Sequence, residues 1–174
     1  SAALAGYGPR PCIEFEGRWR TGDQITGYID AIGHALGDRG PAEPVALVVR
    51  NRVPHAAAIP GSIADGRPVL MVYSYQSAQA IARDIQSLSP AGVIADPQDW
   101  SSELDGAVRS AGAAGITLGA DGPPVATRRT AGPVGAGAGL DILSSGTTGA
   151  PKRVHIPTAV LAQHVRTPLT PISN

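Results

Sequence analysis

The chemistry-bearing residues of this 174-residue chain concentrate in one short stretch, Ser144-Ser145-Gly146-Thr147-Thr148-Gly149-Ala150-Pro151-Lys152, directly after the apolar run Leu140–Leu143. Glycines permit positive φ and close backbone approach, so successive N–H groups in such a loop can converge on one anion. The hydroxyls of Ser144, Ser145, Thr147 and Thr148 and the ammonium of Lys152 add donors. Each charge-assisted hydrogen bond to a phosphate contributes roughly 1.5–3 kcal/mol, so a handful would hold a nucleotide tail. Lys152 is the only lysine among the 14 basic residues, and the rest are arginines. A lone ammonium in an arginine-using chain marks a position where a guanidinium does not substitute.

The spacing excludes the common NTPase loop, in which a lysine followed by Ser or Thr opens a helix. Here Pro151 precedes Lys152. Proline disfavours helix at the residue before it and removes a donor, so the loop is expected to pass into an extended segment, Val154–Ile156. Phosphate would then be held by loop and side chains rather than by a helix dipole.

At these residues the sequence resembles a known family. Ser144 through Lys152, with Val154, is similar to the signature phosphate loop of the AMP-forming adenylate superfamily, Thr/Ser-Ser-Gly-Thr-Thr-Gly-x-Pro-Lys-Gly-Val. That superfamily includes acyl-CoA synthetases, fatty acyl-AMP ligases, peptide-synthetase adenylation domains and luciferases. Arg153 stands where the family usually has glycine. Looser similarity covers Arg20–Leu36, which resembles the family's first helix with Gly22 and Asp23 departing from the usual pattern. Val45–Arg67 likewise resembles its strand, Asn-containing turn and helix.

The resemblance implies an ATP-dependent ligase that activates a carboxylic acid as an acyl-adenylate and passes the acyl group to a thiol, commonly coenzyme A. It implies that Ser144, Ser145, Gly146, Thr147, Thr148 and Gly149 bind the ATP phosphates and that Lys152 is catalytic, neutralising charge on the leaving pyrophosphate. Mg2+ is implied too, through a glutamate in a later motif. A fatty acid is a family-level expectation for the acid, and a carrier-protein thiol is an alternative acceptor. The motifs for adenine, ribose and magnesium and a distal lysine do not occur in these residues, so the sequence reads as an N-terminal fragment, catalytic only as part of an intact enzyme. Two alternatives stand beside this. One is a non-catalytic phosphate-binding or folding module, a pseudoenzyme or truncated product; the other is a nucleotide-independent α/β protein with a chance loop.

The elements that must position the loop follow from periodicity. Ile25, Ile29, Ile32 and Leu36 recur at helical spacing over Thr21–Gly37, with Thr21 and Gln24 placed as a capping box and Gly37 as terminator. Val45–Val49 is short, apolar and mostly β-branched, which suits a strand covered on both faces. The alternation continues with helix Pro54–Ala64, strand Val69–Val72, helix Ser77–Leu88, strand Val93–Ala95, helix Ser101–Ala113 and strand Ile116–Leu118. This predicts α/β, a mostly parallel sheet flanked by helices, which the family resemblance implies to be part of the large N-terminal domain of an acyl-adenylating enzyme. Residues 1–118 form an α/β subdomain in this reading, 119–139 a Gly/Ala/Pro-rich loop, and 140–174 the strand, phosphate loop and following segment of the same incomplete domain.

Composition narrows the partners. The 14 basic and 14 acidic residues cancel and are scattered singly along the chain, so nucleic acid is not expected. Cys12 is the only cysteine, which rules out an internal disulfide or a cysteine zinc cluster and suits a reducing, cytoplasmic setting. No apolar run reaches the roughly 18–20 residues of a membrane span. His34, His55, His155 and His164 show no metal spacing, and no metal site is expected among them. Arg128–Arg129 reads as a solvated loop pair, Cys12 as inert, and Trp19, Trp100 and the tyrosines as packing residues.

Overall fold

The computed structural model describes residues 6–37, 43–119, 125–128, 139–144 and 152–165. Strands β1 (Pro11–Phe15) and β2 (Arg18–Thr21) form an antiparallel hairpin. Its turn residues Glu16 and Gly17 both have positive φ, 50° and 75°. That is the twist a two-residue hairpin connection requires, and Gly17 takes it without steric cost. This hairpin was not anticipated from the sequence.

Helix α1 (Gly22–Leu36) starts and stops as the sequence dictates. The Thr21 hydroxyl accepts from Gln24 N at 3.3 Å, Gln24 Oε1 accepts from Thr21 N at 3.0 Å, and Gly37 closes the helix at φ 65°. Strand β3 (Val45–Val49), helix α2 (Val53–Ala64), strand β4 (Val69–Tyr73), helix α3 (Ala78–Leu88), strand β5 (Gly92–Ala95), helix α4 (Ser102–Ser110) and strand β6 (Ala114–Thr117) follow. Ser77 and Ser101 cap α3 and α4 by accepting from Ala80 N and Leu104 N.

Strands β7 (Val125–Arg128), β8 (Gly139–Ser144) and β9 (Lys152–Pro157) complete a seven-stranded sheet of order β7-β6-β5-β3-β4-β8-β9. The inner neighbours are parallel, while β7 and β9 run antiparallel at the two edges. The reading of 119–139 as loop is therefore corrected at 125–128, where Val-Ala-Thr-Arg, a short alternating segment, pairs with β6. Helix α5 (Thr158–Val165) follows β9.

Strand alternation sorts the core onto two faces. Val45, Leu47, Val69, Ile94 and Ile116 point to α1 and α2, where they meet Ile32, Leu36 and Ala58. Ala46, Val48, Leu70, Val72, Val93 and Ala95 point to α3 and α4, meeting Ile81, Ile85, Leu104 and Val108. Full burial of one such aliphatic side chain is worth roughly 1.5–3 kcal/mol, and both faces of β3, β4 and β5 are covered in this way. The β1–β2 hairpin adds a third cluster, in which Ile13 and Phe15 close over Ile25, Ile29, Val53 and Ala57.

Connections leave the sheet at one end. From β3 the chain steps to β4 by way of α2, then α3 brings it back past β3 to β5. The connections after β3 and β5 thus diverge to opposite faces, which makes the C-terminal ends of these two strands a topological switch point, the usual ligand crevice of open α/β sheets.

Candidate functional site

Strands β8 and β9 flank the candidate phosphate loop on either side. Strand β8 lies parallel to β4, with Val69 opposite Leu140 and Leu70 opposite Asp141, so the chain leaves the sheet after Ser144 at the same end as the switch point. It returns at Lys152, and Ser144 and Lys152 are register partners at the root of the hairpin. Antiparallel partners have Cα atoms about 4.5–5.5 Å apart, so the first and last residues of the candidate site are brought together. Ser145, Gly146, Thr147, Thr148 and Gly149 lie outside the described residues. Lys152 is exposed at the start of β9. The extended segment predicted from Pro151 is present, since β9 contains Val154–Ile156.

Polar contacts fix this hairpin to the sheet. The Tyr73 hydroxyl, at the end of β4, donates to Leu143 O at 2.9 Å. Arg153 reaches back across the sheet, its Nη1 3.5 Å from Met71 O and its Nη2 3.9 Å from Asp84 Oδ2 on α3. The residue that departs from the family pattern thus acts as a tie between the loop's return arm, β4 and α3. Further down the hairpin, His155 Nδ1 lies 2.9 Å from Asp141 Oδ1, and the His155 ring packs over Gly139, where a Cβ would overlap it. Gly139 is the close approach that seats His155.

A second polar group occupies the switch point itself. Arg50 Nε and Nη2 donate to the two carboxylate oxygens of Asp99 at 2.8 and 2.6 Å, joining the β3–α2 connection to the β5–α4 connection. Arg52 Nε lies 3.1 Å from Asp96 Oδ2. His55, only 1 % exposed, accepts from Arg50 N through Nδ1 at 3.2 Å, and its Nε2 is 4.0 Å from Asp96 Oδ2. Asp99 holds the Arg50 guanidinium more firmly charged than usual. Burial pushes the His55 imidazole below its ordinary pKa, with Asp96 and Asp99 pulling the other way. Burial is the largest cause and favours the neutral imidazole, in keeping with the acceptor role of Nδ1 toward Arg50 N.

The sequence reading named His55 without assigning it chemistry and did not single out Arg50, Arg52, Asp96 or Asp99. The Arg50-Asn51-Arg52 pattern after a strand was a visible signal, but its partner Asp99 lies 49 residues away. Among the described residues no group of three or more His, Cys, Asp or Glu side chains could hold a metal ion, and no helix is long and apolar enough to cross a membrane.

Comparison of the fold with solved structures finds ATP-bound MatB from Rhodopseudomonas palustris, at TM-score 0.71 and 20% identity, covering 94% of this chain and 35% of MatB. A putative long-chain-fatty-acid CoA ligase from the same organism matches at TM-score 0.64 and 20% identity, over 94% of this chain and 45% of the ligase. This chain has their fold. The luciferase-like enzyme of the nonluminescent Zophobas morio mealworm shares it too, at TM-score 0.64 and 16% identity, over 90% of this chain and 41% of that enzyme. A CoA ligase and a luciferase-like enzyme are both kinds of protein that the loop's resemblance points to. The chain spans between a third and under half of the length of these structures, and it matches the N-terminal domain of the ligase fold. No family profile matches the chain, and no curated protein matches it by sequence.

Proposed function

We propose that this chain is the ATP-phosphate-binding part of an AMP-forming, carboxylate-activating ligase. The observation that carries the reading is the ordered match of Ser144–Lys152 and Val154, set on a hairpin that opens at the C-terminal end of a parallel sheet. In the reaction a substrate carboxylate oxygen attacks the α-phosphorus of ATP, the bond from that phosphorus to the bridging oxygen breaks, and pyrophosphate leaves as the acyl-adenylate forms. A thiol, by family resemblance coenzyme A, then takes the acyl group and releases AMP.

Charge builds on the departing pyrophosphate, and catalysis of such a transfer is largely positioning and electrostatic stabilisation. We assign the β- and γ-phosphates to the hydroxyls of Ser144, Ser145, Thr147 and Thr148 and the backbone of Gly146 and Gly149. Lys152 neutralises the charge. Tyr73 and Arg153 hold the arms of the loop and act as positioning residues. ATP and coenzyme A are the proposed co-substrates and a small carboxylic acid the proposed substrate, with fatty acids among the candidates. A glutamate that the family resemblance places beyond the loop would hold magnesium, which would supply shielding of the phosphate charge. A cytoplasmic setting belongs to the proposal and rests on Cys12 being the only cysteine.

The partial span of the chain on its structural neighbours favours a second reading for these residues taken alone, a module that holds phosphate without completing the reaction. The two are separated by ATP–pyrophosphate exchange driven by a panel of carboxylic acids. The protein with the complete ligase length should exchange with at least one acid and the 174 residues alone should not. Exchange by the 174 residues alone would overturn the module reading, and no exchange by the complete protein with any acid would overturn the enzyme reading.

A further inference from the structure

Charges that are scattered along the sequence are gathered by the fold. A cleft of about 640 Å3 opens between the β1–β2 turn and the β3–α2 connection, lined by Phe15, Glu16, Arg18, Arg20, Asn51 and Val53 together with Arg50 and Arg52. We propose that this cleft is a second anion site, separate from the loop at 144–154, taking a phosphate-bearing small molecule at the guanidinium groups of Arg18, Arg20 and Arg52.

Three independent features support the assignment. Four arginines line the cleft against the single lining carboxylate Glu16, and the buried side chains of Asp96 and Asp99 engage two of them, Arg52 and Arg50. The cleft wall is also built. Asp99 clamps Arg50 on two atoms, and in the amide orientation that satisfies both groups the Gln98 oxygen accepts from Arg50 Nη1 at 2.9 Å. Arg50 is therefore a fixed strut, whereas Arg52 spends its Nε on Asp96 and is a third exposed. A guanidinium has several donors in a planar fork, so an arginine engaged along one edge keeps others for a phosphate.

The third feature is placement. The cleft borders the switch point through the β3–α2 connection, and it meets the start of α2, where Arg52 is the N-cap without a side-chain cap bond and the first turn holds no acidic residue. The positive end of the helix thus faces the arginines with nothing of opposite sign contributed by its own first turn. A volume of this size exceeds what a lone phosphate fills and lies within the range of small-molecule sites. The cleft and the phosphate loop open at the same end of the sheet, with only β4 between β3 and β8, so they are roughly 10 Å apart in strand spacings and can be occupied separately.

The test is amide chemical-shift mapping by NMR with inorganic pyrophosphate titrated into the protein, and into the R18Q/R52Q double variant, Lys152→Ala and Arg83→Gln. Arg83 is an exposed arginine on α3, remote from the cleft, and controls for general loss of charge. Shifts over residues 15–20 and 51–53 are expected, with affinity there falling tenfold or more in R18Q/R52Q and unchanged in Lys152→Ala and Arg83→Gln. The unperturbed amide spectrum of α3 and α4 in the double variant checks that the fold is retained. Shifts confined to the residues flanking 144–154, an affinity in R18Q/R52Q equal to wild type, or an equal loss in Arg83→Gln would each overturn the proposal. Absence of shifts at 144–154 would instead count against the nucleotide-loop reading and leave the cleft standing.

Discussion

Strands β3 and β8 both run parallel to β4, on opposite sides of it, and they are held by different chemistry. β3 pairs with β4 at five positions and is enclosed on both faces, whereas β8 pairs at two and carries the antiparallel edge strand β9 beyond it. The residues around β3 are aliphatic, with Val45, Ala46, Leu47 and Val48 fully buried. Around β8 and β9 the fixing contacts are a tyrosine hydroxyl, an arginine and a histidine–aspartate pair. Hydrophobic burial is non-directional and sums into global stability, while hydrogen bonds are directional and net about 0.5–1.5 kcal/mol each. The core therefore carries the fold. The hairpin is aimed by a few polar ties and can be altered without unfolding the rest.

The largest effect expected is in the core. Ile94 in β5 is 1 % exposed, and Ile94→Ala should cost about 2–5 kcal/mol in chemical denaturation, from lost transfer energy and the cavity left behind. A cost near that of a surface substitution would break the contrast from the core side. Next comes the hairpin: Tyr73→Phe removes the hydroxyl on Leu143 O and should cost roughly 0.5–1.5 kcal/mol. Its signature is local, with faster amide exchange at 140–144 and 152–156 and unchanged exchange in β3 and β5. Equal acceleration in all four strands would show that the hairpin and core unfold as one unit.

A smaller effect, at the switch point, depends on pH. The unfolded chain protonates His55 near pH 6.5, whereas burial lowers the value in the fold. Between those two values the unfolded state binds the extra proton, so stability is fully present above about pH 6.5 and declines as pH falls below it. Melting temperature followed from pH 7.5 down to 5 should fall less steeply in His55→Asn, whose amide oxygen can replace Nδ1 as acceptor for Arg50 N. Parallel slopes in the two proteins would remove His55 from the account.

How far the sequence foretold the structure differs between the same two regions. The core was legible because periodicity and caps are local: Ile25, Ile29, Ile32 and Leu36 declared α1, and Thr21 with Gln24 declared its start. The ends of the helices moved by a few residues, as with α4, which stops at Ser110 rather than Ala113. The β1–β2 hairpin was missed because the Glu16-Gly17 signal is weak without its packing on α1 and α2. Strand β7 was missed because four residues among many glycines become a strand only against β6. At the candidate site the motif was legible and the support was not. The sequence marks Lys152 and the extended return, but Tyr73, Asp84 and Met71 reach the hairpin across 69 to 82 residues of chain. The arginine cleft was hidden for the same reason, since Arg18, Arg20, Arg50 and Arg52 look dispersed until β2 and the β3–α2 connection are folded together.

The claim on which the functional account turns is that Lys152 grips the phosphates of ATP. Its most direct test is the equilibrium affinity for ATP of the wild-type protein against Lys152→Ala, with Lys152→Arg as a charge-preserving companion. Loss of one charge-assisted contact of roughly 1.5–3 kcal/mol predicts at least a tenfold weaker affinity in Lys152→Ala, with Lys152→Arg restoring only part of it. Equal affinity in wild type and Lys152→Ala would contradict the account.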